Sequence, residues 1–195
     1  MESYKTFICL DQTGNGGIKM TKDIADAIKD RRSIRRFAPR DIPSATLSRL
    51  LEAASMAPSA GNRQPWFFYV VGNADTRQEL AKAAFGQSFL VEAPVNIVVC
   101  AEPERSSARY GERGANLYCL QDTAAAVQNL LLMAEGLGLA TCWVGAFDEK
   151  GVCQVLDIPR GRRPVAIIPV GYSNLTKPPQ PPARRALTEI VKMVN

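Results

Sequence analysis

The feature that most constrains the fold of this chain is one long helical pattern, Asn116–Leu137. Leucine, alanine and valine recur along one stripe of this helix, and its second half, AAAVQNLLLMA, is apolar almost all round. A helix without a polar face has to be buried, either in the core of its own chain or between two subunits. Gly136 and Gly138 end the pattern, because glycine is a poor helix former. The rest of the chain is therefore predicted to fold around this helix.

Shorter elements on both sides of the long helix complete an α+β pattern. Helical spacing begins at Met20 and at Pro43, and it recurs in Asp75–Phe85 and Glu149–Leu156. Four apolar or aromatic segments are predicted to be strands: Trp66–Val71, Val95–Ala101, Thr141–Phe147 and Pro164–Tyr172. The charged, glycine-containing segment Arg105–Arg113 is predicted to be an exposed loop. Since helices and strands alternate without a strict βαβ rhythm, the sheet is expected to be antiparallel or mixed.

The size and composition of the chain suit one folded domain. Its 195 residues are 46% apolar and 22% charged, close to the values of ordinary globular proteins. Residues 1–19 are predicted to be an irregular extension rich in glycine, asparagine and threonine, and residues 20–195 a single domain. No uncharged run reaches the ~20 residues that a bilayer span needs, and no signal peptide is visible at the start. The protein is therefore expected to be cytoplasmic, without a membrane partner.

Histidine is absent from the chain, and this absence narrows the possible chemistry. A histidine-ligated metal site and a histidine-based catalytic triad are excluded, and no metal is expected. The cysteines are scattered without a CxxC motif, and Cys100, Cys119 and Cys142 lie in apolar segments typical of buried thiols. The commonest general base is missing as well. If the protein is an enzyme, its chemistry is expected to belong to a cofactor.

Arginine clusters give the chain a net charge of +5 and point to an anionic ligand. In RRSIRRF, Arg31, Ser33 and Arg35 lie on one side of an extended segment, because alternate residues share a side. Guanidinium groups and a hydroxyl are suitable donors for a phosphate group. The segment also fits a solvated basic turn at the end of a helix. A nucleic-acid site is disfavoured, because no aromatic residues alternate with the arginines.

Three further segments have features of a binding site, although each also has a simpler interpretation. In APSAGNRQPW, Ser59 and Asn62 present hydrogen-bonding groups on a proline-stiffened loop that a flat heterocycle could approach. In GLGLATCWVGAF, Gly145 follows an uncharged stretch that could lie against a planar ligand. In PPARRALTEIV, a proline-rich arm carries Arg184 and Arg185. Taken singly, these segments also fit a polar loop, a buried strand and an exposed tail.

The order and spacing of these segments resemble the FMN-dependent nitroreductase family. The resemblance covers about residues 20–193 and rests on RRSIRRF, PSAGNRQPW, the long apolar helix, GLG-x-x-x-CWVG, a strand ending in PVGY and a terminal arginine pair. It implies an α+β three-layer sandwich whose two subunits intertwine around long central helices as a homodimer, with FMN bound at the interface. Asn116–Leu137 matches the interface helix, which would account for its apolar second half.

The resemblance also implies which residues contact FMN. Arg31, Arg32 and Ser33 would hold its phosphate and ribityl end, and Arg35 its pyrimidine edge near N1 and O2. Two-electron reduction leaves negative charge near N1, so a fixed cation there raises the flavin potential. The other implied contacts are Pro58, Ser59, Ala60 and nearby Asn62 from the partner subunit, Trp143, Val144 and Gly145 along the flavin, Gln87 facing the pyrimidine, and Arg185 with Arg184 at the phosphate.

The reaction that the resemblance implies is a ping-pong transfer of hydride from NAD(P)H through flavin N5 to a small acceptor. The acceptor would be a nitroaromatic, a quinone, a free flavin or an enone, and no catalytic side chain is assigned. Family members often place an acidic residue before the glycine near N5, where this chain has Val144, so backbone groups are expected to bond N5. Two alternatives stay open: a flavin-cleaving or dehalogenating relative on the same fold, and a basic polyanion-binding module without flavin.

Overall fold

A four-stranded antiparallel sheet forms the middle layer of the molecule. The structure, a computed structural model, describes residues 20–194. The strands are β1 (Trp66–Val71), β2 (Val95–Ala101), β3 (Ala140–Thr141) and β4 (Arg163–Gly171). Their order in the sheet is β1-β2-β4-β3, and every neighbouring pair is antiparallel. Residues 1–19, predicted to be an irregular extension, lie outside the described residues.

The central strand β2 contributes to the hydrophobic core on both faces of the sheet. Ile97 and Val99 belong to one apolar cluster, and Val98 and Cys100 to the other, as the two-residue period of a strand requires. All four side chains are fully buried. This arrangement confirms the prediction that Val95–Ala101 is a strand covered on both faces.

Helices cover both faces of the sheet. The described helices are α1 (Ile24–Asp30), α2 (Ser44–Ser55), α3 (Ala74–Ala83), α4 (Phe89–Glu92), α5 (Pro103–Arg113), α6 (Cys119–Gly136), α7 (Glu149–Val155) and α8 (Leu187–Ile190). Helices α2 and α6 contribute to the cluster that includes Ile97, whereas α3, α4 and α7 contribute to the cluster that includes Val98. The protein is therefore an α+β three-layer sandwich with an antiparallel sheet, which confirms the predicted fold class.

The long apolar pattern forms α6, which runs for 18 residues and ends at Gly136. Its buried side packs on the sheet and on α2. Another side, with Gln121, Ala124 and Gln128, is exposed in the single chain. Of the described helices, none combines the length and the apolar character that would let it cross a membrane. The predicted helix is thus confirmed, and its own chain does not cover it completely.

The prediction of an exposed loop over Arg105–Arg113 is wrong, because this segment forms most of α5. Pro103 lies in the first turn, where its fixed φ favours helix initiation and its missing N–H is not needed. Gly111 then adopts a φ of 56° and kinks the helix, a conformation that glycine tolerates. A π-helical turn, Gly114–Tyr118, leads into α6. The charge pattern predicts the exposure of this segment but not its helical backbone.

The predicted strand Thr141–Phe147 is too long. Strand β3 ends at Thr141, and beyond it only Val144 pairs again, exchanging two hydrogen bonds of 3.0 Å with Ile167 of β4. On its outer side, Ser33 pairs with Thr141, and the Ile34 N–H donates to the Thr141 carbonyl at 2.8 Å. The residues that follow α1 therefore close this edge of the sheet and bring the first arginine cluster to it.

Two apolar surfaces of the chain are not covered. Helix α1 buries only Ala27, and the side chains of Ile24 and Ile28 are exposed. Residues 176–194 form an exposed arm, in which the side chains of Leu187 and Met193 are 73% and 81% exposed. Contiguous exposed apolar side chains are typical of surfaces that meet another molecule.

Candidate cofactor site

A cavity of about 310 Å³ lies where the end of α1 meets the C-terminal arm. Its lining residues are Arg31, Arg32, Ser33, Pro179, Gln180, Pro182 and Arg184. The structure thus brings together predicted phosphate-binding residues from both ends of the chain. Three of these side chains carry a guanidinium group, and none of the described residues that line the cavity is acidic. The cavity is therefore a concentrated positive site that attracts anions.

Arg32 is held against the end of α1 and retains one buried donor without an acceptor. A terminal nitrogen of its guanidinium group donates to the carbonyls of Lys29 and Arg31, at 2.7 and 2.8 Å. Within residues 20–194, the buried Nε of Arg32 has no hydrogen-bond partner. An unpaired buried donor costs roughly 1–3 kcal/mol, and an anion in the adjoining cavity could remove this cost.

Arg184 and Arg185, both predicted to lie at the phosphate, have different surroundings. Arg184 lines the cavity with Arg31 and Arg32. In contrast, the Nε of Arg185 lies 3.2 Å from Glu189 Oε2, and another nitrogen of its guanidinium group donates to the Glu189 carbonyl at 2.9 Å. Arg185 is therefore paired locally, within the exposed arm.

Arg35 and Ser33 lie beside the buried thiol of Cys142, directly after β3. Burial raises the pKa of the Cys142 thiol, and the charge of Arg35, a hydrogen bond with Ser33 and the charge of Arg31 oppose that shift. The Arg35 guanidinium group also lies 5.8 Å from the centroid of the Phe89 ring. The sequence predicts Cys142 as a buried thiol, which is confirmed, but its contact with the arginine cluster depends on tertiary structure.

The segment that follows Cys142 presents alternate residues to opposite sides. Val144 is buried, whereas Trp143 and Gly145 line a second cavity, of about 340 Å³. The other residues that line it are Leu120, Thr123, Ala124 and Val127 from α6, together with Phe147, Glu149, Arg163, Pro164 and Val165. A Cβ at Gly145 would meet no atom within 4 Å, so a flat molecule can approach the backbone there.

Gln87 is tied to this segment through its side-chain amide. Its Nε2 donates to the carbonyls of Ala84 and Ala146, both at 2.9 Å. The Asp148 N–H donates to the Ala83 carbonyl at 2.8 Å, so the end of α3 is bonded to the same segment twice. The structure therefore puts Gln87 beside Gly145, with its amide nitrogen already used by the protein.

The loop of Pro58, Ser59, Ala60 and Asn62 is held by α6. The Ala60 N–H donates to both carboxylate oxygens of Asp122, at 3.1 and 3.2 Å. Ser59 Oγ and Asn62 Oδ1 accept hydrogen bonds from the backbone and the side chain of Gln64, both at 3.0 Å. Asn62 adopts a left-handed backbone with a φ of 53°. The loop thus has a defined shape, and its proline and its asparagine are exposed.

Asp122 is a further candidate site residue, which was not predicted from the sequence. The residue is buried, with 9% exposure. Burial raises the pKa of its carboxyl group, and the hydrogen bond from the Ala60 N–H opposes this rise. A buried acid in an apolar helix needs a partner, so its presence in that pattern is a usable signal. Within residues 20–194, no group of three or more histidine, cysteine, aspartate or glutamate side chains is arranged to hold a metal ion.

The loop and the arginine cavity lie at opposite edges of the sheet. The loop leads into β1, one edge strand, and the cavity adjoins β3, the other, so about 14 Å separates them across the sheet. The loop ends next to Trp66, which lies level with Ala101 of β2 and Arg163 of β4. The cavity adjoins Thr141, which lies level with Val170 of β4. The length of β4 between Arg163 and Val170 adds roughly 20 Å along the strands. Within one chain, the loop is therefore well separated from the arginine cavity.

Comparison with known proteins gives the family to which this fold belongs. The model described as "Nitroreductase family" matches residues 28–89 and 85–172, and the chain belongs to that family. An NADH dehydrogenase of Thermus thermophilus is 33% identical over 77% of this chain and 86% of its own length. The crystal structure of a nitroreductase family protein from Streptococcus pneumoniae superposes with a TM-score of 0.80 at 25% identity, over 88% of this chain and all of the other. A 5,6-dimethylbenzimidazole synthase of Rhodospirillum rubrum is 28% identical over 76% of this chain and 81% of its own length.

Proposed function

We propose that the protein is an FMN-dependent oxidoreductase that uses NAD(P)H to reduce a small acceptor. The observation that carries this proposal is the cavity in which Arg31, Arg32 and Arg184 converge with Ser33. A phosphate monoester carries close to two negative charges near pH 7, and guanidinium groups bind such oxygens through strong, charge-assisted bonds. The unpaired Nε of Arg32 fits the same ligand. Membership of the nitroreductase family supports the redox class.

The second cavity suits the flat ring of FMN. This cavity lies along the segment that begins at Thr141. Thr141 pairs with Ser33, and Ser33 lines the phosphate cavity. One ligand can therefore extend from one cavity to the other. Both backbone polar groups of Val144 are bonded to Ile167, so the Gly145 N–H would be a backbone donor left to hold the flavin ring. Bound there, FMN would supply the hydride chemistry, accepting hydride from NAD(P)H and reducing the acceptor.

The protein's own side chains would position the ring and adjust its electrostatics. Arg35 is exposed beside Cys142 and supplies a fixed positive charge where negative charge develops on reduction. Gln87 fixes the Ala146 carbonyl and with it the backbone next to Gly145. Trp143 and the apolar residues of α6 that line the cavity limit the access of water. No side chain is proposed as a general acid or base.

A homodimer would complete this site. We propose that the loop of Pro58, Ser59, Ala60 and Asn62 reaches the bound cofactor from a second copy, since its own chain holds it at the opposite edge of the sheet from the arginine cavity. The exposed side of α6 and the apolar arm of residues 176–194 supply surface for such a contact. Two copies related by a two-fold axis would form two equivalent sites, each with residues from both chains.

The acceptor that we propose is a small planar molecule, such as a nitroaromatic, a quinone, a free flavin or an enone. The open approach to the Gly145 backbone favours a flat molecule over a bulky one. A flavin-cleaving reaction is the second candidate, because a relative with 28% identity is a 5,6-dimethylbenzimidazole synthase. Nucleic acid and membranes are not proposed as partners, and the cytoplasmic location stays a prediction.

The test of this function is spectroscopic. The purified protein, supplied with FMN and then desalted, should show the absorbance bands of bound oxidised flavin and the mass of a dimer. Steady oxidation of NADPH or NADH in the presence of a quinone, with the flavin intact, supports the reductase. Loss of flavin into a benzimidazole product under air supports the cleaving enzyme. A colourless monomer that binds polyanions in a salt-dependent manner would overturn the proposal and favour a basic binding module.

The two arginines of the arm allow a matched test of the phosphate site. Arg184→Gln should raise the Kd for FMN by about tenfold or more, the loss expected for one charge-assisted bond. Arg185→Gln should have a smaller effect, because this side chain is paired with Glu189. Flavin fluorescence during titration measures both. The opposite ranking would assign the phosphate contact to Arg185, and two unchanged Kd values would remove the arm from the site.

A further inference from the structure

A cluster of arginine and tyrosine side chains, formed by α5, the turn after it and Arg63 of the loop before β1, has no role in the proposed function. The α5 basic cluster consists of Arg63, Arg105, Arg109, Tyr110, Arg113 and Tyr118. Arg63 and Arg105 are joined reciprocally: the Nε of each donates to the carbonyl of the other, at 2.7 and 3.1 Å. Arg105, Arg109 and Arg113 are all exposed.

Two tyrosine rings support the cluster. Tyr110 and Tyr118 pack edge to face with their centroids 5.3 Å apart. The guanidinium carbon of Arg109 lies 5.5 Å from the Tyr110 centroid, and that of Arg113 lies 5.3 Å from the Tyr118 centroid. The Arg113 Nε also donates to the Tyr118 hydroxyl at 3.0 Å. The tyrosine pair therefore holds two guanidinium groups on one small surface, beside aromatic rings.

The positive charge of the cluster is only partly neutralised. Among the side chains of residues 20–194, no carboxylate lies within 4.0 Å of the charged nitrogens of Arg63, Arg109 or Arg113. Arg105 lies 3.7 Å from Glu102, a carboxylate that Arg162 binds more closely, at 2.8 Å. Guanidinium groups without acidic partners on an exposed surface favour an anionic ligand.

The cluster lies directly against the loop that contains Gly61. Gly61 has a φ of 55°, and a Cβ added to it would lie 2.5 Å from the Tyr110 hydroxyl and 3.0 Å from a guanidinium nitrogen of Arg109. This is the loop that the proposed dimer brings to the ring of the neighbouring FMN. The cluster would therefore stand beside the ring site of the second copy, within reach of a co-substrate that extends outward from the ring.

We propose that Arg109 and Arg113, supported by Tyr110 and Tyr118, bind the 2′-phosphoadenosine end of NADPH and select NADPH over NADH. The 2′-phosphate is a monoester with close to two negative charges, the adenine is a flat ring, and the cluster offers guanidinium groups next to aromatic faces. NADH lacks this phosphate and therefore cannot form the charge-assisted bonds that Arg109 and Arg113 would make with it. The inference rests on the proposed function, since it requires the loop of one chain to border the FMN of the other.

The kinetic test compares both nicotinamides with the flavin-loaded protein and one uncharged quinone acceptor. We expect the wild-type protein to prefer NADPH. Arg109→Gln and Arg113→Gln should each lower kcat/KM for NADPH by about tenfold, while kcat/KM for NADH changes by less than about twofold. Arg40→Gln is the matched control, because Arg40 also lies over a tyrosine, 3.8 Å from the centroid of Tyr172, outside the cluster. It should change neither value.

Competition by adenosine 2′,5′-bisphosphate and by 5′-AMP supplies a second readout. The bisphosphate should inhibit the wild-type protein more strongly than 5′-AMP, and Arg109→Gln should reduce that difference. Flavin-loaded protein that uses both nicotinamides equally, with unchanged variants, would overturn this inference and leave the proposed function intact. Equal losses with NADPH and NADH would also overturn it, since the arginines would then act on the acceptor or on folding. Protein that neither nicotinamide reduces would instead contradict the proposed function itself.

Discussion

Asp122 connects the interior of α6 to the Pro58–Asn62 loop through its two bonds from the Ala60 N–H. Replacement of this carboxylate by alanine removes the acceptor from that N–H, so Asp122→Ala should lower the free energy of unfolding by about 1–3 kcal/mol. Asp122→Asn keeps one acceptor oxygen and should cost less. Urea denaturation measures both, with Asp41→Asn, at an exposed aspartate, as the control. Equal effects of the alanine and asparagine variants would contradict the proposed role of the bond.

The pH dependence of stability gives a further expectation for Asp122. Burial raises the pKa of its carboxyl group above 3.8, so the folded state holds the proton more tightly than the unfolded state. The stability that this proton contributes is present below the ordinary pKa and is lost as the pH rises through the raised value. The stability of the wild-type protein relative to Asp122→Asn should therefore decrease from acidic to neutral pH. A constant difference across that range would argue against a buried carboxyl group.

Individual site residues could be predicted to different degrees. Arg31, Arg32 and Ser33 are recognisable because three polar donors follow a helix in immediate succession, and the structure gives them one cavity with Arg184. The choice between Arg184 and Arg185 depends on Glu189, which lies four residues after Arg185 and pairs with it, although Arg185 precedes the start of α8. The bond of Asp122 to Ala60 and the contact of the predicted buried thiol Cys142 with Ser33 were not predictable, because each joins residues distant in the sequence.

At the scale of elements, the exposed side of α6 is the surface on which dimerisation can be tested. Asn129 donates to the Ala53 carbonyl at 3.1 Å and so faces α2, whereas Gln128 is exposed. Gln128→Arg should leave the folded chain intact, because arginine is a good helix former. In a symmetric contact, the arginines of the two copies would lie close together and their like charges would destabilise the dimer. Analytical ultracentrifugation should show a larger monomer fraction with loss of FMN. Gln78→Arg, on the exposed side of α3, is the control, and a flavin-loaded monomer would refute the interface.

The elements with an uninterrupted apolar pattern could be predicted from the sequence, whereas the short or kinked elements could not. Helix α6 and strand β2 follow directly from apolar patterns, since each has to be covered on more than one side. Helix α5 was not predicted, because its charged residues carry no apolar stripe and Gly111 suggests a break. Strand β3 is shorter than expected because only Val144 returns to pair with β4, a detail that depends on the path of the chain.

For the whole molecule, the exposed arm should matter more than the N-terminal segment. Deletion of residues 177–195 removes Arg184 and the apolar side chains of the arm, so FMN should be lost and the dimer weakened. Deletion of residues 1–19 should leave both unchanged, as expected if residues 20–195 form a single domain. Flavin content and sedimentation of the two truncated proteins measure the difference. Loss of flavin on removal of residues 1–19 would contradict the predicted domain boundary.

The separation of the loop and the arginine cavity at opposite edges of the sheet also has a genetic consequence. If each site takes one part from each chain, two differently damaged chains can rescue each other. Arg31→Glu spoils the cavity and Ser59→Trp obstructs the loop, so either protein alone should be inactive. In a mixed pair, both lesions fall on the same site and the other site is intact. Random pairing of equal amounts should therefore restore about a quarter of the original sites.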